Sequence, residues 1–261
     1  FLLLKYSLEQ YHSCSWYVSC DQYVYDKIKD IVNVTPLNLV KTDDCDHNIN
    51  SVEMQQNFIN LVLTRFDACE AGIKDHGYCL FFDSDVIFTN PIEDRVLDLF
   101  KNPSLDAIIS PHMTNNWANE AKHGYYNVGM FVTKNLNMIK QWRHMSKNHR
   151  QLGMYYEQKP LEYVQRSYIT ANFPIYYNIG WWRFNEEHTK GRLTKLRLED
   201  DKIYFGNNEA VNFHMHTLKN IGYQNFGQFL VDKVFAMMKD SNNTRYKSFL
   251  EYYENISKTT L

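Results

Sequence analysis

Two aspartates one residue apart, Asp83 and Asp85, stand where carboxylates are costly to place. The uncharged Cys79-Leu80-Phe81-Phe82 runs into them, Val86-Ile87-Phe88 follows, and Thr89-Asn90-Pro91 ends the run. A short apolar stretch bounded by turn residues and rich in Phe, Val and Ile reads as a buried strand. Charged groups in such a place need a partner, because desolvating an isolated charge is strongly unfavourable. Side chains alternate along a strand, so two acids separated by one residue at a strand end point the same way. The result is a hard, oxygen-rich site suited to Mg²⁺ or Mn²⁺, which in turn would hold a phosphate group.

The elements around this pair must position it. Ahead of it, residues 1–12 have apolar side chains at helical spacing, Ser15 to Cys20 reads as a strand with Asp21 just beyond, and Tyr23 to Ile31 reads as a helix. Val34 to Val40 is a short extended piece, and the acidic loop after it, with Asp44 and Asp46, reads as solvated since no apolar strand leads into it. Ser51 to Ile73 is a long helical stretch with a break expected near Thr64. After the pair come a helix over Ile92 to Phe100, a strand over Asp106 to Ser110, and a polar segment over 112–124 with Asn115, Asn116, Trp117 and His123 that reads as a functional loop. Tyr126 to Thr133 is a strand that contains Gly129, and glycine inside a strand marks close approach of a ligand or another backbone. Helices follow over Leu136 to Lys147 and Pro160 to Tyr168, then an aromatic cluster over 172–189, then strands over Lys202 to Phe205 and Ala210 to His216. The terminal helices cover about 226–257, with Phe226, Phe229, Leu230, Val234 and Met237 forming an expected core face. Strands alternating with helices give an α/β chain with a mainly parallel sheet, read as one domain over 1–261. Ligands bind such sheets beyond the carboxyl ends of the strands, which is where the acid pair falls.

Composition excludes several other classes. The formal net charge is −2, so a basic nucleic-acid footprint is absent. Five cysteines without a C-x-x-C pair fit neither a zinc knuckle nor a dense disulfide framework. No apolar run reaches the roughly 18 residues of a transmembrane segment. Asn33-Val-Thr, Asn242-Asn-Thr and Asn255-Ile-Ser are formal glycosylation sequons in an Asn-rich chain. The expected location is cytoplasmic or membrane-peripheral, with the secretory lumen as the alternative.

"CLFFDSDVIFTNPI" resembles the D-x-D region of GT-A fold glycosyltransferases, which use nucleotide sugars. Other segments agree in order: "SLEQYHSCSWYVSCDQ" with the early helix–strand unit of that fold, "YNVGMFVTKN" with the N-x-G strand of the glycogenin-like and lipopolysaccharide galactosyltransferase-like families, "YYEQKPLEYV" with their acid–Gln segment, and "AVNFHMHTLK" with the late strand whose His completes the metal site. The resemblance spans about Leu3 to Lys219 and implies a GT-A (Rossmann-like) mixed, mainly parallel sheet flanked by helices. It implies that Asp83 and Asp85 meet a Mn²⁺ (or Mg²⁺) ion and, with Ser84, the donor's ribose and diphosphate. His214 and His216, on one face of their strand, become further metal ligands, with His214 favoured and His216 alternatively a donor contact. Arg65 falls where the family holds the donor phosphates, or else is a surface arginine. Asn127 and Gly129 would lie against the donor sugar, and Lys219 would close on the diphosphate, although the Gly-x-x-Lys-Pro-Trp pattern expected there is missing. Glu157 and Gln158 fall where retaining members place their acid–Gln pair. Glu186 or Glu187 would be the base of an inverting enzyme. Tyr177, Trp181 and Trp182 either stack on an acceptor sugar or belong to the core.

The implied activity is transfer of a sugar from a nucleotide-sugar donor, UDP-sugar favoured, to a glycan, glycoprotein or glycolipid hydroxyl. The fold's usual first strand would precede Phe1. If it is absent altogether, a catalytically silent sugar- or nucleotide-binding relative is the alternative. A second alternative is a haloacid dehalogenase-like phosphatase, with Asp83 as nucleophile and Asp200-Asp201 as the late acid pair. Against it, Ile87 stands where that family needs Thr or Ser.

Overall fold

The structure is a computed structural model that describes residues 1–39, 52–114, 117–184, 196–215 and 224–259. It is a mixed α/β fold, as the alternation of patterns predicts. The first unit is helix α1 (Leu2–Glu9), strand β1 (Trp16–Cys20), helix α2 (Gln22–Ile28) and strand β2 (Val34–Leu39), with β1 and β2 parallel. The Asp21 carboxylate caps α2 by accepting the Val24 N–H at 2.7 Å, which satisfies one of the open amides of the first turn. Helix α3 (Val52–His76) runs without the break expected at Thr64, whose hydroxyl donates to the Leu61 carbonyl and so stays inside the helix.

The apolar run around the acid pair is not one strand. It forms β3 (Cys79–Phe82) and β4 (Val86–Phe88), and the two belong to different sheets. Asp83, Ser84 and Asp85 are the turn between them, closed by the Val86 N–H donating to the Asp83 carbonyl at 3.2 Å. The aspartates therefore converge because the chain turns and not because a strand alternates.

After helix α4 (Asp94–Lys101) come β5 (Ala107–Pro111), helix α5 (Trp117–His123), β6 (Tyr126–Thr133), and helices α6 (Leu136–Lys147) and α7 (Gln158–Val164). The polar segment over 112–124 thus contains a short helix; its Asn115 and Asn116 lie outside the described residues. Strands β7 (Thr170–Asn172), β8 (Ile179–Gly180), β9 (Leu196–Glu199), β10 (Lys202–Phe205), β11 (Asn208–Glu209) and β12 (Asn212–His214) follow, then helices α8 (Gln224–Asp240) and α9 (Thr244–Thr259). The expected core face of α8 holds at Leu230, Val234 and Met237, but Phe229 is half exposed, and Val231 and Met238 take its place inside.

The sheets run β3-β6-β5-β7, β4-β12-β8 and β11-β10-β9, beside the β1-β2 pair. Pairing is parallel for β1–β2, β5–β7 and β12–β8, and antiparallel for β3–β6, β5–β6, β4–β12, β10–β9 and β10–β11. Among the described strands the sheets are mixed, as expected, but antiparallel pairings outnumber parallel ones. The physical origin is that β6 and β12 enter beside β3 and β4 in the opposite sense and bring their own side chains to the turn.

Two devices hold the turn in place. The Ser7 hydroxyl of α1 accepts the Phe88 N–H at 3.0 Å and ties that helix to β4. On the other flank, Trp142 of α6 is buried edge-on against Phe66 and Phe131, at centroid distances of 5.0 and 4.9 Å. Its indole N–H donates to the Glu157 carbonyl at 2.7 Å and so fixes the start of α7.

Candidate metal centre

Strand β12 carries His214 to the acid turn. It pairs antiparallel with β4, His214 opposite Val86, and parallel with β8, His214 opposite Gly180. The Met215 N–H donates to the Asp85 carbonyl at 3.0 Å, which locks the turn to the strand end. His214 Nε2 then lies 3.1 Å from Asp85 Oδ1 and 3.6 Å from Asp83 Oδ2. One ligand atom from each of Asp83, Asp85 and His214 falls within 4.8 Å of the others.

Behind the acids stands Arg65 of α3. It is not a surface arginine: its side chain is 11% exposed and lies over the Phe81 ring. Its guanidinium faces Asp83 Oδ1 at 3.8 Å and Glu157 Oε1 at 3.4 Å and donates to the Val128 carbonyl at 3.3 Å. Burial pushes the Asp83 carboxyl above its ordinary range, against the pull of Arg65 and His214. Burial likewise raises Glu157, with Arg65 opposing. For His214, burial disfavours the charged ring, but the Asp85 and Asp83 carboxylates outweigh it, and its pKa lies above the usual imidazole value.

The donor set suits a divalent cation. Two carboxylates and an imidazole are the mixed oxygen–nitrogen set that Mn²⁺ accepts more readily than Mg²⁺ does. The space between them is maintained from below by Gly129 of β6. A Cβ there would stand 2.2 Å from His214 Cε1 and 2.8 Å from Asp83 Oδ2. Close by, Glu157 Oε2 and Gln158 Oε1 are buried and have no hydrogen-bond partner among the described residues, which is a costly state unless a bound ligand supplies donors.

All of these groups open into one cleft of about 1380 Å³. Asp83, Ser84, Asp85, Arg65, Gly129 and His214 line it, as do Asn127, Glu157 and Gln158. The structure thus brings together nine of the residues singled out in the sequence. Glu186, Glu187, His216 and Lys219, and the acidic loop with Asp44 and Asp46, lie outside the described residues. Asp200 and Asp201 do not join the cluster. They sit between β9 and β10, where Asp201 Oδ1 accepts the Asn242 N–H and the Ser241 hydroxyl ahead of α9. That removes the late acid pair on which the phosphatase alternative depends.

No family model matches the chain, and no curated protein does. Among solved structures, it is similar to a glycosyltransferase involved in the glycosylation of the major capsid of PBCV-1, at 15% identity and a TM-score of 0.48 over 83% of this chain and 100% of that one. It is also similar to mouse xyloside xylosyltransferase 1 in its apo form, at 9% identity and a TM-score of 0.47 over 84% of this chain and 92% of that one.

The aromatic cluster divides. Trp181 and Trp182 reach the cleft, with the Trp182 ring edge-on to His214 at 5.2 Å. Tyr177 is core: it is fully buried, and its hydroxyl accepts the Glu93 N–H at 3.1 Å. Three buried residues with no sequence signal prove central. Asn178 contacts His214, His112 contacts Asn127, and Arg183 clamps the loop behind them. The Arg183 guanidinium donates to the carbonyls of Pro111, His112, Ile175 and Tyr177. Hydrogen bonds from a charged donor contribute roughly 1.5–3 kcal/mol each. Arg183→Met, similar in length but without donors, is expected to lower stability by about 3 kcal/mol or more. Denaturant melts would show this as a lower midpoint; an unchanged midpoint would contradict the clamp.

Proposed function

We propose that this chain is a metal-dependent glycosyltransferase of the GT-A kind. It would move a sugar from a nucleoside-diphosphate donor, with UDP the favoured nucleotide, to a hydroxyl of a glycan, glycoprotein or glycolipid. The observation that carries this reading is the convergence of Asp83, Asp85 and His214 within 4.8 Å in a cleft of about 1380 Å³. A cleft this size exceeds the roughly 300–1,000 Å³ of a single small-molecule site and leaves room for donor and acceptor together.

In this reading Asp83, Asp85 and His214 hold Mn²⁺, whose chemistry is to neutralise the charge that grows on a departing diphosphate. Arg65 serves twice: it keeps Asp83 in register and adds a fixed positive charge facing the phosphates. Ser84, exposed at the tip of the turn, is free to meet the ribose. Asn127 and Gly129 form the floor under the donor sugar. The orphan oxygens of Glu157 and Gln158 accept hydrogen bonds from sugar hydroxyls and orient the anomeric carbon toward the acceptor. Their match to the acid–Gln pair of retaining enzymes is what favours retention of configuration in this reading. Trp181, partly exposed in the cleft, offers an apolar face to the acceptor, whereas Trp182 is buried beside His214. His216 and Lys219 keep the donor-side roles, and Glu186 the acceptor-side role, that the motif order suggests.

Calorimetry with UDP tests this directly. Binding is expected in the presence of Mn²⁺ and should disappear when the cation is chelated. Equal UDP affinity in both conditions would refute the metal-held diphosphate. A screen of UDP- and GDP-sugars by nucleotide release then identifies the donor.

A further inference from the structure

His214 does not reach the acid turn unaided. Its Nδ1 lies 3.2 Å from Asn178 Oδ1, and the Asn178 Nδ2 donates to Asn127 Oδ1 at 2.8 Å. Asn127 Nδ2 lies 3.4 Å from His112 Nε2, and His112 Nδ1 lies 2.9 Å from the Gly124 carbonyl. All four side chains are buried.

The direction of every bond in this chain follows from two backbone groups that have no choice. The Gly129 N–H can only donate, and it donates to Asn127 Oδ1 at 2.9 Å. The Asn127 amide is thereby oriented with its NH₂ toward His112. The Gly124 carbonyl can only accept, so His112 carries its proton on Nδ1 and presents a bare Nε2 to that NH₂. Burial supports the neutral ring by lowering its pKa to about 4. Asn127 Oδ1 also takes the Asn178 NH₂, which leaves Asn178 Oδ1 facing His214 as an acceptor. His214 must then place Nδ1–H inward and Nε2 toward Asp83 and Asp85. Asn178 is itself pinned, because its own N–H donates to Asn212 Oδ1. Its φ of +49° is a left-handed conformation that Asn tolerates better than most residues.

We propose that Asn178 is a positioning residue for the metal centre, holding His214 in the tautomer and orientation that offer Nε2 to the cation, with Asn127 and His112 as its fixed backing. The proposal rests on the metal-centre reading above. Ligand histidines depend on such a partner at the second nitrogen, and its loss typically weakens metal binding by roughly ten- to a hundredfold.

The test uses Mn²⁺ alone and the whole chain. Free Mn²⁺ is followed by electron paramagnetic resonance, and the ¹⁴N modulation of the bound ion reports whether an imidazole is attached. Asn178→Gly removes the acceptor while keeping the positive φ unstrained. It is expected to bind Mn²⁺ roughly ten- to a hundredfold more weakly and to lose ¹⁴N modulation. Asn178→Asp keeps an acceptor for Nδ1–H but sets a carboxylate oxygen against Asn127 Oδ1, so it is expected to melt lower than the wild type while keeping the ¹⁴N modulation of bound Mn²⁺. Wild-type affinity and modulation in the Gly variant would overturn the proposal. Should the Gly variant not fold, loss of the ¹⁴N modulation in the Asp variant, which still offers Nδ1–H an acceptor, would overturn it as well. Asp85→Ala separates the two levels. If it loses Mn²⁺ while Asn178→Gly does not, only the positioning role falls; if it binds Mn²⁺ like the wild type, the metal centre itself falls.

Discussion

Alanine in place of Asp85 is expected to leave the chain folded and to remove its response to Mn²⁺. The Asp85 carboxylate lies 3.1 Å from His214 Nε2, nearer than the Asp83 carboxylate at 3.6 Å. Loss of an outer-shell partner alone costs roughly ten- to a hundredfold in affinity, so loss of a direct ligand should cost at least about a hundredfold, or about 2.7 kcal/mol. The fold should survive for two reasons. The backbone link from the Met215 N–H ends on the Asp85 carbonyl, which alanine keeps. Asp83 also remains beside the His214 ring, at 3.6 Å, as a carboxylate partner in the metal-free chain. Thermal melts decide the matter. At a hundred times its dissociation constant, Mn²⁺ adds about 2.7 kcal/mol to the wild type. In a chain of this size that is a rise of roughly 5–10 °C in Tm. The same rise in Asp85→Ala would show that the ion binds elsewhere. Nucleotide release from the donor sugar should fall in parallel, by at least about a hundredfold.

The second large effect is expected from a single added methyl group. Gly129→Ala places a Cβ 2.2 Å from His214 Cε1, 2.7 Å from its Nδ1 and 2.8 Å from Asp83 Oδ2. The His214 ring and the strand itself are the neighbours with least room to yield. The His214 ring is held by Asn178 and flanked by Trp182. Strand β6 is paired on both sides, with β3 and β5. Register against β5 jumps from Ile109 opposite Phe131 to Ser110 opposite Asn127, so Gly129 sits in a bulge whose carbonyl also accepts the Asp83 N–H at 2.8 Å. Bulges of this kind aim backbone at a site, and here the aim leaves no volume for a side chain. Overpacking of this type costs about 1–3 kcal/mol. The larger consequence is that relief comes by turning His214 or Asp83 out of the ligand set. A lower Tm together with a tenfold or greater loss of Mn²⁺ affinity is the expected pair of results. Mn²⁺ affinity equal to the wild type would mean that the carboxylates and imidazole are not the ligand set.

Both effects involve residues that the sequence marks, for physical reasons that local pattern preserves. Two acids inside an apolar run are visible because their burial is improbable without a partner. Gly129 is visible because glycine breaks an otherwise strong strand pattern, and β6 and α6 have the boundaries their periodicities predict. What local pattern cannot carry is the turn at Asp83–Asp85, because Phe82 and Val86 are equally good strand residues in one sheet or in two. Nor can it carry the strand pairing at β8, a two-residue strand, or the meeting of Asn178 with His214 across 36 positions. An asparagine before Ile-Gly has no signature of its own, and its role exists only once β12 lies beside β8. Tyr177 shows the same limit from the other side: as a composition feature it fits a sugar platform equally well, and only burial separates the two.

The acid turn is also the place where the chain leaves one sheet for another. β3 belongs to the four-stranded sheet and β4 to the three-stranded one, with Asp83 on the first side and His214 on the second. A cation held by both therefore acts as a rivet across the seam, and its binding energy is shared with the alignment of the two sheets. Exchange of the Val86 amide, whose hydrogen bond to the Asp83 carbonyl crosses that seam, is then expected to slow when the cation binds. Occupancy of such a centre would thereby govern the rigidity of the cleft floor.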